Sequence, residues 1–90
     1  TVAYMAPERA LGEAASVQTD IYALGVLLYQ LLTLNLPFKR SSIKEFRKTY
    51  MYEKLIEPEE AAPYRDVPPR LSRLVKKCLD PDPKNRYQSM

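Results

Sequence analysis

The sequence contains no histidine, which removes imidazole from both proton transfer and metal ligation anywhere in these residues. It contains a single cysteine, Cys78, so neither an internal disulfide nor a cysteine-based metal cluster is open to it. A lone thiol suits a reducing compartment. Long apolar runs are also lacking. The longest, Ile21 to Leu36, is interrupted by Gln30, Thr33 and Asn35 and falls short of the roughly 20 apolar residues of a membrane span. No segment of these residues reads as a secretory leader, an internal repeat or a low-complexity tract. There is no initiator methionine, and a proline-started helix breaks off at Met90, so the chain is expected to be a piece of a longer protein.

What remains is a 90-residue chain, 46% hydrophobic and 28% charged. That composition is globular, and the length allows one small domain at most, marginal by itself. The net charge of +3 is unevenly spread, with −2 in residues 1–38 and +5 in residues 39–90. Such a skew could serve an acidic or nucleic-acid partner. The bases, however, are interleaved with glutamates along amphipathic segments, which favours a solvated surface and no nucleic-acid partner.

The eight prolines divide the chain into helical segments. Pro7 suits the first turn of a short helix to Leu11, with Gly12 as its stop and Glu13 to Val17 as a surface loop. From Ile21 to Leu32 only Gln30 is strongly polar, which predicts a buried helix. Asp20 stands at its expected start, where a carboxylate can cap free backbone N–H groups and complement the helix dipole. Ser42 and Glu45 form a capping box ahead of a helix expected from Ile43 to Leu55. The proline-rich stretch Ile56 to Pro69 reads as an extended loop. Leu71, Leu74, Val75, Cys78 and Leu79 recur at one helical stripe. Asp80 to Pro83 is a turn, and a last helix is expected from about Lys84. The fold class is therefore all-α, organised around one central helix, with no segment reading as a sheet.

Periodicity alone gives no activity. The motifs give more. Thr1 to Glu8 reads T-V-A-Y-M-A-P-E, which resembles the end of a protein-kinase activation segment. Asp20 to Gly25, D-I-Y-A-L-G, resembles the start of that family's central C-lobe helix. L-L-T-L-N-L-P-F, ending at Phe38, resembles the segment that follows. C-L-D-P-D-P-K-N-R-Y, Cys78 to Tyr87, resembles the close of the domain. The four motifs stand in the family's order and spacing and span essentially the whole chain. Their wording is nearest to bacterial eukaryotic-like (Hanks-type) serine/threonine kinases of the PknD-like kind. Two departures are apolar swaps, Tyr22 for the usual tryptophan and Leu34 for a frequent glycine. The Gly-rich loop, the V-A-I-K lysine, H-R-D and D-F-G are not in these residues.

The resemblance implies a partial kinase domain over residues 1–90, the C-lobe without N-lobe or catalytic loop. It implies a parent enzyme that transfers the ATP γ-phosphate to Ser/Thr of protein substrates, working in the cytoplasm, with a membrane anchor possible elsewhere. ATP and Mg2+ would be bound by residues outside this chain, which would have no activity alone. It implies roles by residue. Thr1 would contact the missing catalytic loop and match hydroxyl-bearing Ser/Thr substrates, although a threonine there could simply cap a turn. Val2, Tyr4 and Met5 would floor the pocket for the substrate residue after the phosphoacceptor, against plain loop packing. Glu8 and Arg86 would pair across 78 positions and staple the loop to the lobe. Asp20 would hold the catalytic-loop backbone. Leu27 and Leu31 would back the nucleotide-side column, with core packing the larger part of their work.

Lys39, Arg40, Lys76 and Lys77 read as solvated faces, and Cys78 as a small buried hydrophobe, not a nucleophile. A second functional reading is a pseudokinase or helical scaffold without chemistry. Whether H-R-D and D-F-G precede Thr1 separates the two. The isolated 90-mer is expected to pack loosely, because its central helix needs cover from the rest of the lobe.

Overall fold

A computed structural model describes residues 2–89, and among them every regular element is helical. Thr1 lies outside the described residues, and with it the expectation placed on its hydroxyl. The helices are α1 (Pro7–Ala10), α2 (Val17–Thr33), α3 (Ile43–Thr49), α4 (Pro58–Ala61) and α5 (Pro69–Cys78), with single 3-10 turns at Val2–Tyr4 and Pro83–Asn85. Proline opens α1, α4, α5 and the second 3-10 turn. Its fixed φ suits a first turn, and the N–H it lacks would have had no helical partner there. Gly12 follows α1 with φ +88, a left-handed stop that favours glycine.

The central helix starts a turn earlier than the apolar run suggests. Ser16, not Asp20, is its N-cap. The Ser16 hydroxyl accepts from Thr19 N–H at 3.2 Å, and the Thr19 hydroxyl accepts from Ser16 N–H at 3.3 Å. This reciprocal box satisfies two of the free donors at the helix start. Asp20 lies inside the first turn and is exposed. At the other end Leu34 takes the left-handed conformation, φ 59, and donates its N–H to Gln30 O at 2.7 Å. The glycine expected at this position is thus a matter of backbone, not of apolar fit. A leucine there costs about 1 kcal/mol.

Three more boundaries differ from expectation. α3 ends at Thr49 instead of Leu55: Tyr52 N–H turns back to Thr49 O at 2.8 Å, Met51 and Tyr52 stay exposed, and Leu55 beyond them packs against the core. Its Ser42 cap is made, with Glu45 N–H at 3.2 Å. The expected loop from Ile56 contains α4, where Glu59 and Glu60 complement the positive helix start. After Pro83 there is one 3-10 turn and no α-helix. Arg86 breaks it with extended backbone, φ −81 and ψ 174, as its side chain turns into the interior.

The core forms where α2 crosses α5. Ala6, Tyr22, Val26, Tyr29, Val75 and Leu79 pack together there. Gly25 permits the approach, since a Cβ at this position would stand 2.7 Å from Cys78 Cβ. On α5 the stripe is buried at Val75, Cys78 and Leu79 but opens toward Leu71. The opposite face of α2 is bare. Leu24, Leu27 and Leu31 are 38%, 47% and 62% exposed, so within these residues the apolar helix is covered on one side only. No described element covers that side, and each of these partly exposed leucines leaves about 1 kcal/mol of burial unrealised, roughly half of what full burial of a leucine gives.

Candidate functional site

A short loop from Val2 leads into α1; buried Arg40 holds the loop from behind, and buried Arg86 holds the helix after it. The loop's 3-10 turn at Val2–Tyr4 closes with Met5 N–H donating to Val2 O at 3.2 Å. Val2 and Met5 are half-buried, and Tyr4 lies on the surface, its hydroxyl bonded to the Gln30 carboxamide of α2. Ala6 and Pro7 are buried and carry the loop into α1. The structure thus gathers Val2, Tyr4 and Met5 on one turn against the central helix.

Behind α1, Glu8 meets Arg86. Arg86 Nη1 donates to Glu8 Oε2 at 2.7 Å and Nη2 to Oε1 at 2.9 Å, a two-pronged pair between residues 78 positions apart. Arg86 is 2% exposed and Glu8 7%. The remaining guanidinium donors go to the carbonyls of Asp80, Pro81 and Gln18. Thr19, the partner of Ser16 in the box that caps α2, donates its hydroxyl to Glu8 Oε2 at 3.0 Å. Burial pushes the Glu8 carboxyl up, but the Arg86 fork and the Thr19 hydroxyl more than offset this and hold it below the usual carboxylate value. Arg86 also lies over the Tyr22 ring, 4.8 Å from its centroid.

The sequence places the second arginine, Arg40, on a solvated face, and the structure corrects this. The Arg40 side chain is 1% exposed. Its Nε and Nη2 grip both oxygens of Glu53 at 2.9 Å. Its Nη1 donates to Val2 O and Met5 O, each at 2.9 Å, and Nη2 also donates to the Tyr22 hydroxyl at 2.5 Å. The guanidinium lies 3.8 Å from the Phe46 ring centroid and 4.7 Å from that of Phe38. A base beside Lys39 with no motif around it looks like surface charge. The available signal was the aromatic pair Phe38 and Phe46 around it, with Glu53 beyond. Lys39 itself is exposed, Lys76 makes an exposed pair with Glu57, and Lys77 lies over the Tyr87 ring.

Tyr22 stands between the two arginines. Burial pushes its phenol up to about 12, so it remains a neutral hydroxyl that accepts from Arg40. Cys78 is buried between α2 and α5, and desolvation raises its thiol, which leaves it a poor nucleophile. Leu27 and Leu31 lie on the bare face of α2 and Asp20 near its start, apart from the loop. Among the described residues no side-chain N or O atom is buried without a partner.

This geometry, a short loop tied to a helical lobe by a buried Glu8–Arg86 fork, can be set beside known proteins. The model of the protein kinase domain matches residues 1–90. The chain belongs to the protein kinase domain family. Serine/threonine-protein kinase PknD of Protochlamydia amoebophila (strain UWE25) is 61% identical over 90 residues, all of this chain and 9% of that protein. PknD of Chlamydia abortus (strain DSM 27085 / S26/3) is 51% identical over 87 residues, 97% of this chain and 9% of the relative. PknD of Chlamydia trachomatis serovar D (strain ATCC VR-885 / DSM 19411 / UW-3/Cx) is 46% identical over the same length. The chain therefore spans about 9% of the length of these curated relatives.

Kinases use ATP and a divalent metal, and the described residues do not fit either. Among them no group of three or more His, Cys, Asp or Glu could hold a metal ion. The only glycines, Gly12 and Gly25, lie at a helix end and a helix crossing and cradle no phosphate. No described helix is long and apolar enough to cross a membrane.

Proposed function

We propose that this chain is part of a serine/threonine protein kinase that transfers the ATP γ-phosphate to Ser or Thr of protein substrates. The segment supplies the substrate-binding loop and the C-lobe scaffold behind it. Phosphoryl transfer is governed by positioning and charge stabilisation, so a rigid seat for the substrate chain is a working part of the enzyme. The observation that carries the reading is the Val2–Met5 turn, anchored from behind by buried Arg40 while Tyr4 remains on the surface, with the Glu8–Arg86 fork fixing the helix that follows it. Val2, Tyr4 and Met5 floor the site for the substrate residue after the phosphoacceptor. Thr1 supports the catalytic loop, Asp20 holds that loop's backbone, and Glu8 and Arg86 fix the seat.

The catalytic base, metal ligands and nucleotide lysine belong to other parts of the parent chain, which works in the cytoplasm. Identity of about half or more to kinases named for serine/threonine specificity supports the substrate class. The test is phosphate transfer from labelled ATP with Mg2+ by the full-length protein, offered matched Ser, Thr and Tyr peptides. Transfer to Ser and Thr but not Tyr is expected. No transfer to any peptide, with nucleotide binding intact, would establish the pseudokinase scaffold instead.

A further inference from the structure

We propose that Arg40 is a positioning residue that sets the shape of the Val2–Met5 turn, and so the fit of the peptide the turn receives. The proposal rests on the kinase reading for its substrate and on the hydrogen bonds of Arg40 for its geometry.

A guanidinium has five N–H donors in one plane. Here all five are spoken for. Nε and one Nη2 hydrogen bind Glu53, the other Nη2 hydrogen binds Tyr22, and the two Nη1 hydrogens bind Val2 O and Met5 O. Two carbonyls held by one nitrogen have their separation fixed. These two carbonyls bracket the 3-10 turn, and Val2 O also accepts the Met5 N–H that closes it. The turn therefore cannot open without breaking a charge-assisted bond at each end.

The plane itself is fixed. Phe46 of α3 lies against the guanidinium at 3.8 Å, Phe38 lies 4.7 Å away, and Glu53 grips its far edge with both oxygens. If Arg40 served only to pair with Glu53, a fork using Nε and Nη2 would leave Nη1 for water. Instead both Nη1 hydrogens reach back 38 and 35 positions to the loop. A lysine at this place keeps the charge but has three donors on a point cation, too few and too unaligned to serve the carboxylate and both carbonyls.

The experiment uses the full-length kinase with Arg40→Lys and Arg40→Ala, and Lys39→Ala as a control at the exposed neighbour. Two readouts are taken. Amide hydrogen exchange of the peptides covering Ala3 to Met5 should quicken about tenfold in both Arg40 variants, with α2 and α5 amides unchanged. The KM for a peptide substrate should rise about tenfold, with the KM for ATP unchanged and kcat within about twofold. Lys39→Ala should match the wild type in both.

Unchanged exchange at the turn in Arg40→Ala would overturn the proposal. So would full protection in Arg40→Lys, which would mean that charge alone suffices, or a uniform loss of protection through α2 and α5, which would make Arg40 a general stability contact. A wild-type protein that phosphorylates no peptide would refute the kinase reading, while the exchange data would still decide whether Arg40 shapes the turn.

Discussion

Arg86 and Arg40 solve the same physical problem at two ends of one tyrosine. Both are buried, both grip a glutamate with two nitrogens, both place further donors on backbone carbonyls, and both lie by the Tyr22 ring. They differ in what the carbonyls belong to. Arg86 spends its spare donors on Asp80, Pro81 and Gln18, so it locks the last turn and the start of α2 around Glu8. Arg40 reaches the loop itself at Val2 and Met5. One arginine holds the frame, and the other holds the turn that the frame carries. The pairs also differ in shielding, with Glu8 at 8% side-chain exposure and Glu53 at 13%.

The largest expected effect follows from that difference. Arg86→Ala leaves Glu8 buried with only the Thr19 hydroxyl, and should lower the unfolding free energy of the intact kinase domain by about 3–5 kcal/mol. Arg40→Ala should cost less in the same denaturant titration, since Glu53 can turn to water, and should act mainly on the turn. Equal losses of stability would erase the distinction between frame and loop. A change within error for Arg86→Ala would remove the fork as a structural anchor.

The two arginines were not equally legible. Arg86 and Glu8 each sit in a motif, and the pairing of two motifs far apart in sequence follows from the family resemblance. Arg40 sits in no motif; Phe38 and Phe46 beside it are its one local mark, and the groups it bonds arrive from Val2, Tyr22 and Glu53, on three separate stretches of chain. The same divide runs through the fold. The apolar run from Ile21 announced the central helix, yet its true start depends on Ser16 and Thr19, whose reciprocal bonds override hydropathy. Asp20 looked like the cap because it precedes the first isoleucine. Leu34 looked like a tolerable apolar swap because a sequence shows side chains, whereas φ 59 is a backbone fact. The bare leucines of α2 could be foreseen only as a need for cover, not as a particular face.

Acid gives a second, smaller separation of the two anchors. Burial raises the Glu8 carboxyl, while Arg86 and Thr19 lower it further, so its folded value lies below its unfolded one. Such a group contributes stability that is fully present above the unfolded value and is lost as pH falls through the folded one. Stability of the domain should therefore be flat in this contribution near neutrality and fall below the ordinary carboxylate range. Glu8→Gln should flatten that part of the acid limb when unfolding is measured at a series of pH values. A limb of the same slope in Glu8→Gln would assign the acid sensitivity to other carboxylates.

Tyr22→Phe should have the smallest effect and the sharpest meaning. The ring remains to fill the core and to lie under Arg86, and only the hydroxyl that accepts from Arg40 Nη2 is lost. The phenol stays protonated well beyond neutrality, so no charge is removed with it. A cost of about 1 kcal/mol is expected, one hydrogen bond's worth. Because both arginines lie by the ring but only Arg40 bonds the hydroxyl, two double-mutant cycles divide the residue. Tyr22→Phe combined with Arg40→Lys should show coupling of about 0.5 kcal/mol or more, and combined with Arg86→Lys none beyond error. Coupling of equal size in both cycles would mean that the guanidiniums act through Tyr22 as one unit. The loop would then answer to the Glu8 fork as directly as it does to Arg40.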